Sequence, residues 1–339
     1  MHTSVMRTLC LCTLVSGGTL VALAPGASGQ QTTVEAITSN PPSAVQRALE
    51  LLQRRQRDSA AMLLGARVTE QPSDGRAWFL LGQIHLSDAR QWHRAGHPGE
   101  TSSASLLLGF AGTSFEAAQE LLTDSGGVFR VIVAMERATL RVETAGWDSL
   151  ATWRLPTEEI PLTPVLAELG RNLLASCGRN GVLLTGSSVA EAAAVWGIRL
   201  QGDRSDLVLL RPDMYQSDQR YRTRMAAALG VDSTSELSVG LARAARTRPI
   251  CLAPTVDSMI APDLHWMPSQ LVLTTSPANI ESSALSLFRF ARTGPNGSVW
   301  TAAARDLYDL AARRNHGLCS TLFARSDPLT PPAIPACAQ

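Results

Sequence analysis

A helical domain followed by a small α/β domain with a mostly parallel sheet is the predicted fold class, and three observations predict it. Across residues 43–155, apolar residues recur at helical spacing. Residues 181–212, GVLLTGSSVAEAAAVWGIRLQGDRSDLVLLRP, read as strand, tight turn, helix and strand, which is one parallel crossover unit. Between the two lies PTEEIPLTP, residues 156–164, whose prolines break helical backbone and mark the domain boundary. A chain of 339 residues exceeds one ordinary core, so two separately packed bodies are expected.

Composition narrows the classes of function. Hydrophobic residues make up 45% and charged residues 17%, a globular balance. The formal net charge of +1 provides no overall field to recruit nucleic acid or anionic lipid. All 30 Lys+Arg residues are arginine, which reads as codon bias rather than mechanism. At the N-terminus, Arg7, the apolar stretch 9–23 and small Ala27-Ser28-Gly29 form a secretory signal with cleavage near Gly29. A polar leader, 30–42, follows. Later apolar stretches are interrupted, the longest by Glu191 and Arg199, so no bilayer span is expected in the mature chain. The expected location is extracytoplasmic, either periplasmic or secreted.

Four cysteines survive cleavage: Cys177, Cys251, Cys319 and Cys337. An oxidising compartment favours disulfides, with three possible connectivities, against the alternative of buried free thiols. Cys177 with Cys251 would join a helix end to a strand, and Cys319 with Cys337 would tie down the proline-rich tail, 326–339. Their spacing is not a zinc pattern.

Along the first half, Ala44, Ala48, Leu51 and Leu52 make one helical face, and Ala60, Ala61, Leu64 and Val68 the next, before Pro72 stops the chain. A break is expected over 94–105. Phe115, Ala118, Leu121 and Leu122 then resume a face, and Val131, Met135, Ala138 and Val142 put another helix over 128–143. In the second half, 165–325, a helix over 165–177 precedes the crossover unit. Helices follow over 218–229 and to about 245, the latter started by a Ser233-Thr234-Ser235-Glu236 capping box. A buried strand is expected at 250–253, and a strand pair at 264–266 and 270–274 joined through Met267-Pro268-Ser269. Helices over 280–292 and 299–314 close the domain.

The turn Thr185-Gly186-Ser187-Ser188 lies after a strand and before a helix, where free N–H groups and the helix dipole favour an anion. Asp213, past the end of the next strand, sits where dinucleotide folds hold a ribose. No G-x-G-x-x-G accompanies it, and the plainer reading is that Ser187 or Ser188 caps the helix while Asp213 opens a turn. No catalytic residue is assigned: Ser187 lacks a G-x-S-x-G elbow, and His316 with Cys319 reads as a cap beside a disulfide. His93 and His97 have i, i+4 spacing, but Gly96 and Pro98 interrupt them and no third ligand is adjacent in sequence. Glu158 and Glu159 are neighbours in a solvated connector. No metal and no cofactor are expected.

Two resemblances bear on these readings. After Pro72, Trp78-x-x-Leu81-Gly82-x-x-His85 resembles the first helix of a tetratricopeptide repeat, with His85 in place of the usual tyrosine. This implies that Gly82 permits close helix approach, that the larger residues fill the groove between helices, and that the array offers a concave surface for peptides; the alternative is that the array only packs on the second domain. The second half resembles the soluble C-terminal region of bacterial membrane proteins related to protein O-mannosyltransferases. Gly186 and Trp196 occupy that family's glycine and tryptophan positions, and Arg204-Ser205-Asp206-Leu207 matches its strand start. The resemblance implies a small Rossmann-like domain. Ser187 and Ser188 replace the family's loop acids, so no metal or sugar role carries over.

The expected function is that of an exported, non-catalytic binding or scaffold protein with a protein or peptide partner. The alternative is an enzyme or accessory subunit of cell-envelope glycan or glycoprotein assembly, holding a polar or anionic group at Thr185–Ser188.

Overall fold

The computed structural model describes residues 43–95, 101–276, 289–294, 297–321 and 334–337. The signal and leader (1–42), His97, the start of the helix expected at 280 and most of the tail lie outside the described residues.

The first half is a succession of helices, as its 3.6-residue periodicity requires. α1 (Ala44–Gln53) is capped by Ser43, whose hydroxyl accepts the Gln46 N–H. α2 (Arg57–Glu70), α3 (Gly75–Ala95), α4 (Thr101–Leu121) and α5 (Thr123–Ala145) follow. The expected interruption at 94–105 shrinks, because α3 runs to Ala95 and α4 starts at Thr101. A small apolar cluster of Ala48, Leu64, Leu81 and Ile84 holds α1 to α3.

The second half centres on a five-stranded sheet. α6 (Pro164–Ala175) leads into β1 (Val182–Leu184); α7 (Val189–Leu200) crosses to β2 (Val208–Leu210), which pairs with β1 in parallel. α8 (Pro212–Ser217), α9 (Gln219–Leu229) and α10 (Leu237–Ala244) then lead to β3 (Ile250–Leu252), parallel to β1 on its other side. β4 (Met267–Ser269) and β5 (Val272–Thr274) form an antiparallel pair, and β5 runs antiparallel to β3. The order β2-β1-β3-β5-β4 is therefore mixed and not mostly parallel. α11 (Phe290–Thr293), α12 (Val299–Arg314) and α13 (Gly317–Thr321) complete the described helices.

Two local expectations are corrected. The residues expected to turn, Met267-Pro268-Ser269, are themselves β4, and the reversal falls at Gln270, which takes φ 51°. Pro268 is tolerated because β4 is an edge strand and needs no N–H there. The capping box does not form: α10 begins at Leu237 with no side-chain cap, and Asp232 accepts the Thr234 N–H instead.

The connector at 156–164 does not separate two cores. One buried cluster runs from Leu86 through Val131, Trp147, Trp196 and Leu252 to Ile334. Ile160 within the connector is fully buried, and Trp147 and Trp196 meet edge to face across it at 6.2 Å. The expectation of two separately packed bodies fails here, because α5 presents an apolar face to α7 and α9 that only the second half can cover. Cys177 is bonded to Cys251 and Cys319 to Cys337, with Cα separations of 5.8 and 5.3 Å.

Candidate functional site

The carboxyl ends of β1 and β3 are the place where an open sheet of this kind offers a crevice, because the chain leaves β1 toward β2 and returns on the other side as β3. Thr185 to Ser188 do lie there, but the space is filled from within. Glu191, fully buried in the first turn of α7, accepts the Gly186 N–H at 2.7 Å, the Thr255 N–H at 3.1 Å and the Thr255 hydroxyl at 2.8 Å. Its carboxylate takes the place of an external anion at the Gly186 and Thr255 donors. A Cβ on Gly186 would stand 2.0 Å from Thr255 Oγ1, so the glycine serves this internal packing. Burial pushes the Glu191 carboxyl above its ordinary pKa; the bonds from Gly186 and Thr255 and the nearby Arg314 work against that rise.

The other residues of the turn are likewise committed. Thr185 is buried and its N–H donates to Leu210, extending the β1–β2 ladder. Ser188 caps α7 by accepting the Glu191 N–H, while Ser187 is exposed. Asp213 sits in the first turn of α8, 62% exposed, paired with Arg211 at 3.3 Å. Ser187 and Asp213 line none of the clefts described; one, of about 320 Å³, lies instead between Tyr215, Arg222, Thr234, Glu236 and Ile260. The family-like Arg204-Ser205-Asp206 segment is structural. Arg204 donates to the carbonyls of Leu174, Cys177 and Gly178, closing the end of α6, and is clamped by Asp206.

The repeat-like residues meet different partners. Trp78 Nε1 donates to the Pro72 carbonyl at 2.8 Å, tying the proline turn to α3. Leu81 is buried in the small cluster of α1 to α3. The ring of Phe115 on α4 lies against Gly82, where a Cβ would come within 2.8 Å. His85 stands with its ring 5.6 Å from that of Phe110, and burial lowers its pKa while Asp88 raises it.

A polar junction that sequence reading missed lies where α3, α5 and the segment after β2 converge. Glu136, in the middle of α5, accepts from Arg90 at 2.7 Å and from Arg211 at 2.8 Å. Burial alone would raise its carboxyl; the two guanidinium groups instead bring it down to about 2. Arg211 also donates to Thr139 Oγ1. Two turns along α5, Glu143 meets His93 Nε2 of α3, and Asp218 Oδ2 lies 4.0 Å from the same nitrogen. All three side chains are buried, 8, 4 and 7% exposed for His93, Glu143 and Asp218. The available signal was Glu136, Thr139 and Glu143 recurring at three- and four-residue steps within an apolar helix, a polar stripe that must find partners.

The class of protein this defines is a helical array joined to a small mixed α/β sheet through a buried ionic junction. Comparison of the chain with protein-family models, curated proteins and solved structures finds no match.

Proposed function

We propose that this is an exported binding or scaffold protein that holds a protein or peptide partner on tetratricopeptide-like helices, with the Rossmann-like α/β half as their support. The observation that carries the reading is an apolar strip on the α3–α4 pair. Trp92 on α3 and Leu106 and Phe110 on α4 are 44, 59 and 49% exposed. They share one side of the pair: Leu106 and Phe110 are one turn apart, His85 contacts Phe110, and Trp92 lies two turns beyond His85. Clustered large apolar side chains on a surface mark interaction sites. The Glu191 carboxylate bonded to Gly186 and Thr255 favours this reading over a small anionic ligand at Thr185–Ser188. Two disulfides favour an oxidising compartment and hence export. No helix among the described residues is long and apolar enough to cross a membrane.

A photo-crosslinking side chain placed at Leu106 or Phe110, and at exposed Met259 as comparison, tests this in the native envelope fraction. Discrete adducts at the α4 positions and none at Met259 are expected. The same adducts at all three positions, or none anywhere, would overturn the reading.

A further inference from the structure

We infer that His93, Glu143 and Asp218 form a binding site for one divalent first-row transition-metal ion. The three ligands come from three elements distant in sequence: α3, the last turns of α5, and the residue that caps α9. One donor atom from each lies within 4.8 Å of the other two. Ligands about 2.1 Å from a metal stand roughly 3–3.5 Å from one another, so the ion would replace the direct His93–Glu143 contact and draw in Asp218, now 4.0 Å from His93 Nε2. One imidazole nitrogen with two carboxylate oxygens suits a borderline ion such as Zn²⁺ or Mn²⁺, and leaves further coordination positions open.

The charge balance points the same way. Two buried carboxylates face a single imidazole, and the cations around them are committed elsewhere. Arg90 and Arg211 pair with Glu136, Arg211 also with Asp213, and Arg224 donates to the backbone carbonyls of Glu143 and Thr144. Buried carboxylates in that position need a counter-charge, which a dication supplies. One ligand is oriented by a second contact: Asp218 Oδ1 accepts the Tyr221 N–H at 2.8 Å, leaving Oδ2 4.0 Å from His93 Nε2. The bound ion would lock the helical half to the α/β half.

The test is calorimetric titration of EDTA-treated full-length protein with Zn²⁺ and Mn²⁺, with Mg²⁺ and Ca²⁺ as comparators. One equivalent of Zn²⁺ or Mn²⁺ per chain is expected, with a rise in thermal midpoint. Glu143→Gln and Asp218→Asn should each weaken binding by about 100-fold or more, since even outer-shell changes cost roughly 10–100-fold. Asparagine also caps helices well, so Asp218→Asn should retain the fold. The absorption spectrum of Co²⁺-loaded wild-type protein gives a readout independent of any variant and should report nitrogen and oxygen ligation. Absence of stoichiometric binding to the wild-type chain, or binding unchanged in both variants, would overturn the assignment.

Discussion

Replacing Glu136 by glutamine should destabilise the protein by about 3 kcal/mol at neutral pH and by almost nothing at pH 2. Glu136 titrates near 4.5 when unfolded and at about 2 when folded, held down by Arg90 and Arg211 against the opposing effect of burial. The drop from 4.5 to about 2, at roughly 1.4 kcal/mol per tenfold change in the proton equilibrium, corresponds to about 3 kcal/mol. Breaking a buried ion pair by removing one partner costs about 3–5 kcal/mol, an independent figure of the same size. The sign follows from proton linkage. A carboxyl with a depressed folded pKa contributes stability that is fully present above about 4.5 and is lost as pH falls toward about 2. Urea unfolding of wild type and Glu136→Gln, with disulfides intact, between pH 2 and pH 7 measures this. Every other carboxylate cancels in the difference between the two proteins. A gap that stays constant across that range would show that glutamine harms packing and not charge, and would refute the ionic account of the junction.

Four further outcomes are expected. Removing the Cys177–Cys251 bond, which spans 74 residues, should cost about 4 kcal/mol in the chain-entropy account, against about 3 kcal/mol for the 18-residue Cys319–Cys337 loop. Non-reducing mass spectrometry of protein from its native compartment should find none of these four thiols alkylatable, and four labelled thiols would contradict it. Gly82→Ala should cost about 1–3 kcal/mol in thermal unfolding, because its methyl would press on the Phe115 ring, while Gly65→Ala meets open space and should stabilise α2 by about 0.5–1 kcal/mol. Equal effects at the two positions would refute the close-approach argument. Glu191→Ala should lose about 2–3 kcal/mol in urea unfolding, since it strands the partly buried N–H groups of Gly186 and Thr255; a loss under 1 kcal/mol would show that the turn does not depend on it.

The coarse architecture was legible because it is written in local periodicity. Helical spacing located α1, α2 and α5, and the short apolar runs at 182–184 and 207–210 located two strands that pair in parallel. The extent of α3 and α4 was not legible, since polar residues at a helix end look the same as loop. The β4 reversal was misread because Met267-Pro268-Ser269 has turn composition, yet pairing with β5 makes it an edge strand. At the turn Thr185–Ser188 the reading missed the side chain that fills it. Glu191 lies within the α7 sequence itself, but Thr255, which completes the plug, arrives from 64 residues away. His93 was weighed against His97, its neighbour in sequence, while Glu143 and Asp218 are its neighbours in space.

By itself the sequence determined that the first half would coil, where two of the strands would extend, and which cysteines were available to pair. These follow from interactions within a few residues. Only the tertiary structure decided that both halves share one core, that the sheet is mixed, and that a carboxylate plugs the turn. It also decided that an imidazole and two carboxylates meet at the junction. Each depends on surfaces that are separately plausible but become partners only when desolvation of the whole chain makes leaving them apart too costly.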